Sequence, residues 1–234
     1  MPIDVTKFNE TLKEMKRIYD KDPTVSVRSK EFIKVLDAYC VYELERLGIK
    51  TKQVKIGGDE GRKKTNVYVK QEVTILGKHK PKDLDMCVYS EESGPLIAIS
   101  TRSQMSSVGK NQITYYEEII GDVISLHANY PSLVIGEIYL LPTEPIKKVN
   151  GKLMKEKINL KKWEYLYGKI TGRKTPDDPP DKYEHFAYLV VDFTKDPPTL
   201  HPSIPAMGEL KIDNFFDKIL ATYKERQPFL EIDK

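Results

Sequence analysis

The sequence predicts an α/β protein built on a mixed β-sheet flanked by helices. Strand-like segments joined by short turns at 65–101 indicate hairpins and hence antiparallel pairs. A long helical segment at 106–128 then separates two strands, and such a crossover requires a parallel pair. The apolar run at 133–141 is typical of a strand buried on both faces.

The first half of the chain predicts two helices followed by hairpins. Apolar residues recur with helical spacing in segments 3–20 and 26–47, and Gly48 is a plausible end for the second helix. Strands are predicted at 51–56, 65–76, 84–89 and 95–101. The Gly-rich turn at 57–61 joins the strands predicted at 51–56 and 65–76 into a hairpin. This hairpin carries a basic tip at Arg62, Lys63 and Lys64.

The second half predicts fewer regular elements. Seven of the fifteen prolines lie between Pro176 and Pro205, which predicts a long loop there. A strand at 185–193 interrupts this loop, and an amphipathic helix at 211–226 follows it. The simplest organisation is one domain over residues 1–234 with a Lys- and Pro-rich insertion at about 146–183.

Composition excludes several classes of protein. With 39% hydrophobic and 31% charged residues the chain is typical of a globular protein. It has no apolar run near the roughly 20 residues that cross a bilayer, and its start lacks the apolar core of a signal peptide. We therefore expect a cytoplasmic protein without a membrane partner. Cys40 and Cys87 lack CxxC spacing and are expected to be buried thiols.

Positive charge is concentrated in two segments, although the net charge is only +3. Residues 50–82 contain ten Lys/Arg against three Asp/Glu, and residues 146–174 contain ten against two. The second segment also interleaves aromatic side chains with its lysines, a mixture that can pair with phosphates and stack on bases. A solvated, lysine-rich helix face is the alternative. Two such segments favour a polyanionic partner.

Polar residues that could carry chemistry lie on two neighbouring predicted strands. Asp85 begins one strand, and Ser100 and Arg102 end the next. Side chains two residues apart in a strand project from the same face, which can meet Asp85. Glu117 and Glu118 lie on the crossover helix that follows.

This arrangement resembles the PD-(D/E)XK nuclease superfamily, in which an Asp on one strand and an acid-x-Lys on the next hold Mg2+. The order of elements over about residues 26–141 resembles its αβββαβ core. Ser100 and Arg102 depart from the common acid and Lys. They resemble a subclass of type II restriction endonucleases with Ser-x-Lys or Ser-x-Arg, in which a Glu on the following helix replaces the missing acid. Glu117, fifteen positions after Arg102, corresponds to it.

The chemistry of phosphodiester hydrolysis agrees with these residue types. A divalent cation polarises the phosphoryl oxygen and lowers the pKa of a bound water, and Mg2+ prefers carboxylate oxygens. Asp85 and Glu117 are the predicted metal ligands, with Asp83 and Glu118 as second choices. Arg102 cannot act as a base because its pKa is too high, so it is assigned to electrostatic stabilisation, with Ser100 bonding a ligand. Arg102 as a simple DNA contact or a structural ion-pair partner remains an alternative.

The resemblance implies a Mg2+-dependent endonuclease that cuts double-stranded DNA as a homodimer. No phosphate-binding GxxxxGK[ST] or GxGxxG motif occurs, so no nucleotide cofactor is expected. A DNA-binding protein with weak or no catalysis on the same fold, and an RNA- or protein-binding protein, are the alternatives. The predicted DNA contacts are Arg62, Lys63, Lys64, Ser103, Gln104, Ser106, Ser107, Lys110, Asn111, Lys161, Lys162, Arg173 and Lys174.

Overall fold

The computed structural model describes residues 1–24, 30–49, 67–90 and 93–227. Its helices are α1 (Val5–Lys21), α2 (Glu31–Arg46), α3 (Val108–Asn129), α4 (Leu160–Lys169) and α5 (Phe215–Arg226). Its strands are β1 (Val67–Leu76), β2 (Pro81–Ser90), β3 (Gly94–Ser103), β4 (Val134–Pro142), β5 (Ile146–Val149), β6 (Lys152–Lys155), β7 (His185–Asp192) and β8 (Thr199–Leu200).

Six strands form one mixed sheet in the order β1-β2-β3-β4-β7-β8. β1, β2 and β3 are antiparallel neighbours, β3, β4 and β7 run parallel, and β8 is antiparallel to β7. Helix α3 makes the crossover from β3 to β4. The predicted fold class, a mixed sheet flanked by helices, is confirmed.

The two faces of the sheet carry separate hydrophobic clusters. On the first face Ile97 and Ile99 of β3 pack with apolar residues of α1, α2 and α5. On the second face Ala98 of β3 packs with α3 and α4. All nine residues of β4 are buried, as expected of a central strand covered by helices on both sides.

The segment 146–183 is more regular than predicted. It contains the β5–β6 hairpin and then α4, in which Trp163 and Tyr167 are buried in the second cluster. Their four-residue spacing places both rings on one side of the helix, against the sheet. These two aromatic side chains are therefore core residues and are not exposed for stacking on bases, whereas Tyr165 is exposed.

Other expectations can be compared directly with the described residues. Cys40 and Cys87 are free, buried thiols, as predicted. Within the described parts of the chain, no helix is long and apolar enough to cross a bilayer. The predicted strand at 51–56 and the basic tip Arg62, Lys63 and Lys64 lie outside the described residues.

The contact between β4 and α5 gives a first prediction. A Cβ on Gly136 would lie 2.5 Å from Ile219 Cδ1 and 2.7 Å from Phe215 Cζ. Because such crowding forces packed side chains to move, Gly136→Ala is expected to lower the free energy of unfolding by about 1–3 kcal/mol in urea titrations. Gly121→Ala is the control, because no atom lies within 4 Å of its added Cβ. Alanine at this helical position should stabilise by up to about 1 kcal/mol. Equal stability of the two variants would contradict this packing.

Candidate functional site

The site begins where β2 and β3 separate. Their Cα register ends at Met86 and Ile99, and just beyond this pair Asp85 Oδ2 accepts a hydrogen bond from the Thr101 N–H at 2.9 Å. On the other side of β2, the β1–β2 register skips Glu72, which has a left-handed φ of 49°. A side-chain carboxylate thus bonds the backbone of β3 at the carboxyl end of that strand.

A second carboxylate, from α2, meets the same residue. The Thr101 hydroxyl donates a hydrogen bond to Asp37 Oδ1. Thr101 therefore holds Asp85 through its backbone and Asp37 through its side chain. Asp37 was not predicted, because its sequence position on the polar side of a helix gives no sign that it meets β3.

Burial and mutual repulsion change the acidity of this pair. Burial raises the pKa of Asp37 to about 7, and the negative charge of Asp85 contributes in the same direction. Burial also raises the pKa of Asp85, although the hydrogen bond from Thr101 opposes this effect. Two carboxylates that lie close together and are partly shielded from water are expected to have raised pKa values.

Arg102 lies among three carboxylates on the second face. Its Nη2 donates to Asp122 Oδ2 at 2.8 Å, its Nε is 3.2 Å from Glu137 Oε1, and its Nη1 is 3.6 Å from Glu118 Oε2. Ser100 is buried and pairs with Glu137 in the parallel register of β3 and β4, so their side chains share this face. The structure thus surrounds Arg102 with acids from α3 and β4.

Two lysines complete this charged cluster, which consists of Arg102, Lys80, Lys82, Asp122, Glu118 and Glu137. Lys82 Nζ lies 2.6 Å and Lys80 Nζ 2.9 Å from the Asp122 carboxylate. Burial raises the pKa of Glu137 to about 8, against the opposing effect of Arg102. The charged cluster thus brings three cations and three acids together, and two of its cations, Lys82 and Arg102, act to lower the pKa of Asp85.

The alternatives among the predicted acids separate clearly. Glu117 and Glu118 are both exposed on α3, and Glu118 is the one that approaches Arg102. Asp83 is exposed and accepts a hydrogen bond from the Thr74 hydroxyl at 2.5 Å, on β1. The structure thus brings Asp85 and Asp37 together, and places Glu117 and Asp83 in other surroundings.

The predicted DNA contacts include buried structural residues. Gln104 accepts a hydrogen bond from the Tyr139 hydroxyl at 2.8 Å, and its amide donates to the carbonyl groups of Ser107 and Val108. The Ser106 hydroxyl donates to the Thr24 carbonyl at 3.2 Å. These side chains organise the start of α3. Ser103, Ser107 and Asn111 are partly buried, and Lys110, Lys161, Lys162 and Lys174 are exposed.

Arg173 is also internal. It is only 3% exposed, its Nη1 lies 2.9 Å from Glu184 Oε1, and its guanidinium donates to the carbonyl groups of Pro131 and Pro176. Glu184 in addition binds Arg226 at 2.7 Å and His127 at 3.2 Å. Arg173 therefore holds the loop before β7 in place, and its prediction as an exposed DNA contact is wrong.

Asp37 and Asp85 fit a magnesium ion in the type of donor they offer. Mg2+ commonly binds one or two carboxylates and keeps water or phosphate oxygens in its other positions. Within the described residues, no group of three or more His, Cys, Asp or Glu side chains is placed to hold a metal. In a site built on these two acids, water and substrate oxygens would thus complete the coordination of the ion.

Comparison with known proteins gave no relatives. A scan against models of protein families found no match, and neither did searches of curated proteins and of solved structures. Function is therefore inferred from the chemistry of the site.

Proposed function

We propose that the protein is a Mg2+-dependent endonuclease of the type II restriction class, which hydrolyses phosphodiester bonds in double-stranded DNA. The observation that carries this proposal is the meeting of Asp37 and Asp85 on Thr101, at the point where β2 and β3 separate. Lys82 and Arg102 of the charged cluster favour the ionised form of Asp85. Acids for a hard cation and cations for a phosphate are thus close together.

In this proposal Asp37 and Asp85 would hold Mg2+, and Thr101 fixes the orientation of both carboxylates. The ion, when bound, polarises a phosphoryl oxygen and lowers the pKa of a bound water. Burial works against the charge of Arg102, but Glu137 and neighbouring acids keep its pKa above the ordinary value. Arg102 therefore stays protonated and supplies positive charge to the phosphate, not a base.

The proposed enzyme acts as a homodimer on DNA. Two identical sites related by a two-fold axis can cut the two strands of a symmetric sequence, as the symmetry of the duplex requires. The exposed lysines Lys110, Lys161, Lys162 and Lys174 are available for phosphate contacts.

A DNA-binding protein without catalysis is the second candidate. The observation that favours it is the neutralisation of Arg102 by Asp122 and by the nearby acids of the charged cluster. An arginine held in this way stabilises the packing of α3 on the sheet whether or not a phosphate is present. This candidate needs no divalent cation, and that difference separates the two.

Cleavage of DNA by Asp85→Asn and Asp83→Asn variants tests the proposal. Purified protein is incubated with long duplex DNA of mixed sequence in Mg2+ or in EDTA, and the products are separated on a gel. We expect discrete Mg2+-dependent fragments from the wild type. Asp85→Asn should slow cleavage by about a hundredfold or more, because misplacing reacting groups by about 1 Å already costs that much. Asp37→Asn should show the same defect.

Asp83→Asn is the matched control, because Asp83 lies two residues from Asp85 but bonds Thr74 on β1. It should cleave like the wild type. Cleavage that persists in EDTA, or equal losses in the Asp83 and Asp85 variants, would contradict the proposed site. Intact DNA that is nevertheless retarded on a native gel would favour the second candidate.

A further inference from the structure

The β5–β6 hairpin is an exposed two-stranded ribbon outside the main sheet. Asn150 and Gly151 at its turn have positive φ angles of 49° and 79°, as a tight two-residue turn requires. All four residues of β6 are exposed, including Leu153 and Met154, which are 52% and 51% accessible. Two-stranded ribbons gain little from their own packing, so exposed apolar residues on one suggest a surface that a partner covers.

The charge of the ribbon indicates the kind of partner. Residues 146–155 contain the lysines Lys147, Lys148, Lys152 and Lys155 and no acidic residue. The register pairs Lys147 with Met154 and Lys148 with Leu153, so each face of the ribbon presents a lysine beside an apolar side chain. A polyanion with apolar surface between its charges complements such a ribbon, and duplex DNA has both phosphates and base edges.

The base of the ribbon is fixed beside the candidate site. The Ser107 N–H donates to the Ile146 carbonyl at 2.8 Å, and the Ile146 N–H donates to the Met105 carbonyl. The segment that receives the ribbon therefore begins directly after Ser103, the last residue of β3. Because β3 and β4 are parallel, their carboxyl ends, the ribbon and the Asp85 site lie at the same edge of the sheet.

We propose that the β5–β6 hairpin enters a groove of duplex DNA, with its lysines on the phosphates and the face that carries Met154 and Val149 against base edges. This proposal rests on the proposed function, which supplies the duplex partner. The two strands of the ribbon lie about 5 Å apart. The major groove is about 12 Å wide and 8.5 Å deep and admits a two-stranded ribbon.

The test measures the affinity of the full-length chain for a fluorescently labelled mixed-sequence duplex in EDTA, where no cleavage interferes. In Lys147→Gln/Lys148→Gln/Lys152→Gln, we expect the affinity to fall about tenfold or more. The slope of log affinity against log salt should decrease by roughly 3, close to one per lost phosphate contact. The matched control removes three exposed lysines of α1 and α5, Lys13, Lys21 and Lys224, and should bind nearly as the wild type does.

A second variant, Met154→Ser, changes the face that meets the base edges and keeps the charge of the ribbon. It should lose about threefold or more in affinity with no change in the salt slope, because less apolar surface leaves water in the groove. Circular dichroism checks that each variant folds. Unchanged affinity of this variant for the duplex would overturn the proposal that the ribbon enters the groove.

The outcomes separate the two proposals. If the wild type binds duplex and the triple lysine variant binds equally well, the hairpin assignment is overturned while the endonuclease proposal stands. Equal losses in the triple variant and in its lysine control also overturn the assignment, because general charge then explains binding. If the wild type binds a single-stranded RNA but no duplex, both proposals fail.

Discussion

Replacing Glu184 with glutamine is expected to lower the free energy of unfolding by about 3 kcal/mol at neutral pH. Glu184 is 1% exposed and meets Arg173, Arg226 and His127, while the Ile135 N–H donates to its Oε2 at 2.7 Å. Removing one member of a buried ion pair leaves uncompensated charge, which typically costs about 3–5 kcal/mol. Urea titration followed by circular dichroism measures the change.

The effect of Glu184 should depend on pH in one direction. Burial acts to raise its pKa, but His127, Arg226 and the other donors lower it to about 2. A carboxylate with a depressed pKa stabilises the fold above its unfolded pKa and loses that stabilisation as the pH falls toward the folded value. The difference between wild type and Glu184→Gln should therefore be complete above about pH 4.5 and shrink toward pH 2.

Glu225→Gln is the control for this prediction, because Glu225 is an exposed carboxylate beside Arg226. Its change should stay within about 0.5 kcal/mol, as is usual at the surface. A Glu184→Gln variant as stable as this control would show that the buried pairs contribute nothing net.

Replacing Glu137 with glutamine should have the opposite pH dependence. Burial raises its pKa from the ordinary 4.5 to about 8, so between these values the folded protein holds a proton that the unfolded chain releases. The resulting stabilisation is complete below about pH 4.5 and is lost as the pH rises toward 8. Glutamine does not titrate. The free energy of unfolding of the variant should therefore increase relative to that of the wild type as the pH rises, by about 2–4 kcal/mol near pH 8.

Unfolding curves of both proteins from pH 5 to pH 9 measure this difference. Glu117→Gln, on the exposed side of α3, is the control and should follow the wild type at every pH. A Glu137 variant that is less stable than the wild type at pH 8 would mean that the ionised carboxylate is required by Arg102. In that case Glu137 carries full charge in the native protein.

The sequence by itself determined the architecture. The periodicity of apolar residues is a local property, and it placed α3 between β3 and β4 and hence a mixed sheet. The two-residue repeat of a strand likewise placed Ser100 and Arg102 on one face. These predictions hold because each depends only on neighbours along the chain.

Contacts between distant residues were decided only by the tertiary structure. Asp37 and Thr101 are 64 positions apart, and Glu184 meets an arginine 42 positions away. Arg173 was assigned to the surface from its charge, yet the fold buries it against Glu184. Local patterns specify which face of an element is apolar, but which polar groups meet depends on how α2, α3 and α5 pack on the sheet. The environments and acidities of the buried carboxylates follow from that packing.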